Sequence, residues 1–180
     1  YQMGAPKFQM TLAKGALGGP KVAFSLQHTQ SIVNAYRRRY AKIAGGWKIC
    51  ADIIEQMAAG IEGSHKCLRW GNDNGIGYID LPNGMRLKYP DLRKARGDQG
   101  WDEWTYQSGD IRKKIYGGLL TENLVQALAR IIVAWQMLQI DKKYPVVMTT
   151  HDEAVTHPKT REAQKCYDFM IKWMSTPPWW

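Results

Sequence analysis

Residues 146–156 constrain the possible folds of this chain most strongly, because they combine two β-prone stretches with a short polar turn between them. The stretches have the sequences VVMTT and AVT, and the residues between them are His151, Asp152 and Glu153. Short β-branched runs separated by a few polar residues are typical of β-hairpins. The pattern therefore predicts a tight hairpin with Asp152 and Glu153 at its tip.

Two neighbouring carboxylates on a rigid turn favour a hard divalent cation. Mg²⁺ prefers oxygen ligands, keeps several waters and commonly shares its coordination with substrate phosphates. The turn is therefore a candidate phosphoryl-transfer site, although carboxylates are frequent in ordinary turns as well. An alternative is a transition-metal site formed by His151, Asp152 and His157, because imidazole suits zinc.

Composition points to a polyanionic partner. The chain has 180 residues with 25 Lys and Arg against 16 Asp and Glu, a net charge of +9, which is typical of proteins that bind nucleic acid. The three cysteines include no Cys-x-x-Cys pair, so neither a disulfide framework nor a zinc knuckle is indicated. The chain has no apolar run of membrane length and no signal peptide, so we expect a soluble, cytoplasmic protein.

The first residue is not Met and the last four are Pro-Pro-Trp-Trp, so we expect a fragment of a longer protein. Apolar periodicity predicts five helices, over residues 3–13, 29–44, 47–59, 121–140 and from 160 onward. Glycines 45 and 46 are expected to end the second helix, and Thr121 to cap the fourth. The inward-facing residues are expected to be Ile32, Tyr36, Tyr40, Ile43, Cys50, Ile53, Ile54, Met57, Leu124, Leu128, Ile131, Trp135, Leu138, Ala163, Tyr167, Met170 and Met174.

Between the third and fourth helices the pattern changes. An Asn-Gly pair at 83–84 between two alternating stretches predicts a second hairpin over residues 78–87. Residues 91–110 are polar and contain Trp101 and Trp104, which indicates a long loop or insertion with short strands of its own. The expected fold class is α+β, with helices packed on one side of a small antiparallel sheet.

Four segments, in this order, resemble family A DNA polymerases of phage type. Residues 1–8 (YQMGAPKF) resemble the end of the fingers helix, and residues 36–40 (YRRRY) resemble the fingers segment after it. Residues 116–129 (YGGLLTENLVQALA) resemble the palm helix beside the template, and residues 150–153 (THDE) resemble the family's His-Asp-Glu motif. The resemblance implies partial fingers and palm of a right-hand polymerase, divided into a helical part (1–63), a hairpin and insertion (64–115) and a palm part (116–180).

The resemblance also implies roles for single residues. Asp152 is similar to the palm aspartate that binds two catalytic Mg²⁺ ions, Glu153 to its supporting carboxylate, and His151 to the residue at the primer 3′ end. Tyr1 and Glu122 would lie at the nucleotide or template site, and the basic residues Arg112, Lys113 and Lys114 would contact the DNA backbone. The implied partners are primer-template DNA, deoxynucleoside triphosphates and the upstream remainder of the polymerase, in the cytoplasm of a bacterial or phage-infected cell. No membrane partner is expected, because no apolar run has membrane length.

In that family the second essential aspartate lies upstream of the region that these residues resemble. Asp52 and Asp80 fall on a predicted helix and a predicted hairpin, so neither replaces it. The resemblance thus implies a chain that is inactive alone and a parent enzyme that extends primers. The alternatives are a non-catalytic basic module that binds nucleic acid and a subunit of a split polymerase. A single-subunit RNA polymerase fits less well, because its motif resembles His-Asp-Ser.

Overall fold

The computed structural model describes residues 3–97 and 100–180. Helices and strands alternate in blocks within these ranges, with three helices first, seven strands next, and then a long helix, a hairpin and a last helix. The elements are α1 Ala5–Ala13, α2 Leu26–Arg39, α3 Ala41–Ala58, β1 Gly63–His65, β2 Leu68–Asp73, β3 Ile76–Asp80, β4 Arg86–Pro90, β5 Arg93–Arg96, β6 Asp102–Ser108, β7 Ile111–Lys114, α4 Gly117–Asp141, β8 Val146–Thr150, β9 Glu153–Thr156 and α5 Ala163–Met174. The mixed α and β class predicted from sequence is confirmed.

The strands form three separate antiparallel sheets in the described part of the chain. Their orders are β1-β2-β3-β4, β5-β6-β7 and β8-β9, so the prediction of one small sheet was wrong. The chain leaves the first sheet after Pro90, where Asp91 takes a positive φ of 48°. An L-residue in that conformation interrupts a strand, and the next strand begins a new sheet at Arg93.

The main core lies where α3 and α4 pack against the first sheet. The predicted inward residues Cys50, Ile53, Ile54 and Met57 are all buried, as helical periodicity required. They belong to one cluster with buried residues of the sheet and of α4, including Trp70, Ile79, Tyr89, Leu120, Leu124 and Ile131.

The boundary between α2 and α3 differs from the prediction. The helices meet at Tyr40, which has φ −115° and ψ 48°, and α3 continues through Gly45 and Gly46. Two interior glycines cost a helix about 1 kcal/mol each, but Trp47 is buried one residue later, and this burial offsets that cost. The predicted inner residues Tyr36, Tyr40 and Ile43 are exposed instead.

The short strands predicted within residues 91–110 are confirmed as β5 and β6, which form the second sheet together with β7. Trp104 packs against the core, whereas Trp101 is 72% exposed. The hairpin predicted over 78–87 is confirmed, with Gly84 at φ +82° in the turn between β3 and β4.

The last two helices also depart from the predicted details. Helix α4 begins at Gly117, four residues before the predicted cap Thr121, whose hydroxyl donates to the Gly117 carbonyl inside the helix. Leu138, Ala163 and Tyr167 are exposed, and Cys166 is the buried residue of α5. No helix in the described ranges is both long and apolar enough to cross a membrane.

Candidate functional site

The carboxylate hairpin forms as predicted, with its turn placed one residue earlier. Thr150 pairs with Glu153 across β8 and β9, so His151 and Asp152 are the two turn residues. Glu153 is the first residue of β9, and its expected place at the tip was wrong. His151 has a φ of 51°, a conformation that His, Asn and Asp adopt more readily than most residues. The polar residues of this turn therefore suit its backbone.

Two helices hold the base of this hairpin. The backbone N–H of Val146 donates to the Asp141 carboxylate at the end of α4, at 2.9 Å. At the end of β9 the Thr156 hydroxyl lies 3.2 Å from the Cys166 Sγ and 3.3 Å from the Met170 Sδ, both on α5. The hairpin base is fixed on both strands, and the turn projects from it.

His151, Asp152 and Glu153 are all exposed. Their oxygen and imidazole donors face solvent, and the described residues contain no group of three or more His, Cys, Asp or Glu that could hold a metal ion. The carboxylates suit Mg²⁺ chemically, but they are too few to enclose two ions. The residues present fit only part of a magnesium site.

The alternative transition-metal site is not supported. Asp152 lies in the turn, and His157 follows the last residue of β9. Five residues of extended chain separate them by about 16 Å, which is far more than one ion can bridge. His151 and His157 lie at opposite ends of the hairpin.

A register shift between Val146 and Met148 interrupts the alternation of β8, and the stretch that borders α4 is apolar for an exposed strand. Val147 and Met148 are 62% and 57% exposed, as is Leu138 of α4 at 64%. These residues line a groove of about 500 Å³ between the helix and the strand. In the described ranges β8 pairs only with β9, so no strand covers its other edge, although the Val146 N–H donates to Asp141.

The three basic residues predicted to contact DNA do not share one face. They lie on β7, where alternation directs Lys113 to the opposite side from Arg112 and Lys114. Arg112 bonds the Asp91 carboxylate and the Thr105 hydroxyl, the latter at 2.9 Å. Lys114 pairs with Glu103. Lys113 is exposed and forms no ion pair with any described residue.

These acidic partners could not be inferred from the sequence. Asp91 lies 21 residues from Arg112, and Glu103 lies 11 residues from Lys114. Only the pairing of β5, β6 and β7 brings them together. Asp141 was missed too, although an acid just before the Lys-Lys-Tyr-Pro break offered a local signal.

Glu122 lies in the first turns of α4, and it accepts a hydrogen bond from Gln126 at 3.2 Å. No hydrogen bond or ion pair links Glu122 to the hairpin within the described residues. Asn123 donates to the hydroxyl of buried Tyr89, at 3.2 Å. Burial raises the pKa of Tyr89 to about 12, although the bond from Asn123 opposes the shift. Tyr1, the other predicted nucleotide-site residue, lies outside the described residues.

Comparison with known proteins gives one informative similarity. The chain is 39% identical over 90 residues to a DNA polymerase of Bacillus phage SP02, an alignment that covers 46% of this chain and 14% of that protein. The chain thus spans about one seventh of the relative. No protein-family model and no solved structure matches it. The similarity links the chain to phage DNA polymerases in general terms.

Proposed function

We propose that this chain is the C-terminal part of the polymerase region of a family A, phage-type DNA polymerase. The complete protein would add deoxynucleotides to a primer 3′ hydroxyl on a DNA template. The observation that carries the proposal is the hairpin turn, in which His151 and Asp152 are followed directly by Glu153 at the start of β9. The similarity to a phage DNA polymerase and the net charge of +9 support it.

In the complete enzyme, the hairpin residues would bind the metal ions and position the primer. Asp152 would bind both Mg²⁺ ions and Glu153 would support it, while His151 would steady the primer 3′ end. When bound, the ions would activate the primer hydroxyl and stabilise the leaving pyrophosphate. The anchoring of Val146 to α4 and of Thr156 to α5 would keep these side chains in register with the primer.

The remaining parts would hold the DNA. Residues 1–63 would belong to the fingers and residues 116–180 to the palm, with Tyr1 and Glu122 at the nucleotide or template site. Lys113 is exposed and unpaired among the described residues. Of the three basic residues, it would therefore be the one most available to contact a DNA phosphate. Such contacts give affinity that does not depend on sequence.

The chain alone would be catalytically silent. A two-metal reaction needs carboxylates on both sides of two metal ions that lie about 4 Å apart. The described residues contain no ligand group large enough for this. The resemblance to family A polymerases implies that the other carboxylate, and the groups that bind the triphosphate, would lie in upstream polypeptide. Primer extension by these 180 residues alone would contradict this point.

The test of the enzymatic role is Asp152→Asn in the longer polymerase. We expect primer extension to fall about a thousandfold while DNA binding remains, because the loss of a metal ligand removes several kcal/mol of transition-state stabilisation. The matched control is Asp110→Asn, because Asp110 is also exposed and also occupies the second position of a two-residue turn, between β6 and β7. Equal activity of the two variants would refute the assignment.

A second candidate is a non-catalytic basic module or a subunit of a split polymerase. The observation that favours it is the lack of a metal-ligand group in the described part of the chain. For a simple binding module, Asp152→Asn would leave every measurable function unchanged. For a split enzyme, activity would return when the missing half is added as a separate polypeptide.

A further inference from the structure

The C-terminal segment, residues 176–180, is held in place at both ends. The buried side-chain amide of Gln136 donates to the carbonyl oxygens of Met174 and Thr176, at 3.0 and 3.2 Å. At the other end, Trp180 packs against the main core. The residues between include Pro177 and Pro178, whose rings fix φ. The backbone on either side of Trp179 is therefore well constrained.

Trp179 itself is exposed. Its relative exposure is 84%, while its neighbour Trp180 is partly buried. Exposing a large indole to water is unfavourable, so an exposed ring of this size is a candidate contact surface. The anchored segment presents this one indole to solvent.

The indole borders an open cleft of about 620 Å³ whose lining includes two basic residues. The cleft is lined by Lys66, Cys67, Arg69, Pro82, Trp179 and Trp180. Lys66 is in the two-residue turn between β1 and β2, and Arg69 lies on β2. Both are exposed, and neither forms an ion pair with any described residue. No acidic residue of the described ranges lines the cleft. Asp80 lies opposite Arg69 across β2 and β3, but its carboxylate is paired with Arg86.

We infer that this cleft binds single-stranded nucleic acid, with a base stacked on Trp179 and phosphates held by Lys66 and Arg69. An aromatic ring beside free cations is the combination that recognises unpaired nucleotides. A duplex fits less well, because both faces of each internal base are already stacked. The site uses no residue of the carboxylate hairpin, so the inference goes beyond the proposed function and does not depend on it.

The test is binding of fluorescein-labelled dT₁₀ to the 180-residue chain, followed by anisotropy. We expect Trp179→Ala to weaken binding about tenfold. The matched control is Trp101→Ala, which removes another exposed indole that does not line this cleft. Circular dichroism confirms that both variants remain folded. Equal affinities of the two variants would overturn the inference.

The proposed phosphate contacts of Lys66 and Arg69 are tested separately. Lys66→Gln combined with Arg69→Gln is expected to reduce the slope of log affinity against log salt by about 1.4, since each phosphate contact on a single strand contributes about 0.7. Lys159→Gln with Lys165→Gln removes the same charge from exposed positions elsewhere and should change the slope less. An equal change in both pairs would mean general attraction only and would overturn the inference.

Two further outcomes identify a different occupant. If blunt duplex binds as tightly as dT₁₀, and both depend on Trp179, the site is not specific for single strands. If poly-glutamate binds in a Trp179-dependent manner and dT₁₀ does not, the cleft takes an acidic peptide. If His151→Ala abolishes junction binding and leaves Trp179-dependent dT₁₀ binding intact, the cleft binds single strands independently of the hairpin, as inferred here.

Discussion

At the scale of single residues, Gly117 sets the distance between α3 and α4. A Cβ at this position would lie 2.0 Å from the carbonyl oxygen of Trp47, which belongs to the backbone of α3. Gly117→Ala must therefore force the two helices apart. We expect it to lower the free energy of unfolding by about 3 kcal/mol, measured by urea denaturation with circular dichroism.

Gly45→Ala is the matched control for this prediction. A Cβ at Gly45, inside α3, would meet no atom within 4 Å. The same chemical change should therefore stabilise the chain by about 1 kcal/mol through helix propensity. Destabilisation by both variants would contradict the close approach of α4 to α3.

Tyr89 gives a prediction about pH at the same scale. Its pKa is about 12 in the folded chain against an ordinary value of 10. Between these two pH values the hydroxyl stays protonated in the folded state and ionises in the unfolded state. The contribution of protonated Tyr89 to the free energy of unfolding is complete below pH 10 and is lost as the pH rises toward 12. A difference of this size corresponds to about 2 to 3 kcal/mol.

Urea unfolding of the wild type and of Tyr89→Phe at several pH values from 9 to 12 measures this effect. Phe keeps the ring but cannot ionise, so the free energy of unfolding should fall with pH more steeply for the wild type. The Tyr89→Phe variant also lacks the hydroxyl that accepts from Asn123. It loses that hydrogen bond at every pH, which shifts its whole stability curve by a constant amount. Parallel curves for the two proteins would show that Tyr89 titrates normally.

At the scale of elements, alternation along β7 separates basic residues that are adjacent in sequence. Lys114 is paired with Glu103, whereas Lys113 is exposed and unpaired among the described residues. We therefore expect Lys113→Gln to reduce the salt dependence of duplex binding by nearly one phosphate contact. Lys114→Gln should have a smaller effect, and fluorescence anisotropy across a salt series compares them. A larger effect of Lys114→Gln would contradict this reading of the strand.

Elements defined by local periodicity or turn chemistry were predictable from the sequence. The inner face of α3 follows helical spacing, and the Asn83-Gly84 turn requires a residue that accepts positive φ. The carboxylate hairpin was found for the same reason, since a polar turn separates two β-prone runs. Its register was misplaced by one residue, because the sequence alone does not show that Thr150 pairs with Glu153.

Features that depend on distant contacts were not predictable. The glycines at 45 and 46 predicted a helix end, but the burial of Trp47 maintains α3 through them. The early start of α4 depends on the packing of Gly117 against α3. The acidic partner of Arg112 is Asp91, between β4 and β5, and that of Lys114 is Glu103 on β6. In each case tertiary packing overrides the local pattern.

At the scale of the whole molecule, the core and the candidate site lie in different parts of the structure. The core joins α3 and α4 to the first sheet, while the hairpin carries its exposed carboxylates at a free turn. Under the proposed function, the remaining ligands of the site would come from additional polypeptide. The chain alone would then bind DNA without forming a complete catalytic centre.

The most direct test of this account is the binding of the chain to a primer-template junction and to a blunt duplex of equal charge, measured by anisotropy across a salt series. The account predicts a preference for the junction that His151→Ala reduces and His157→Ala leaves intact, because only His151 lies at the hairpin turn. Equal binding of both DNAs, with a steep salt slope and no effect of His151→Ala, would contradict it.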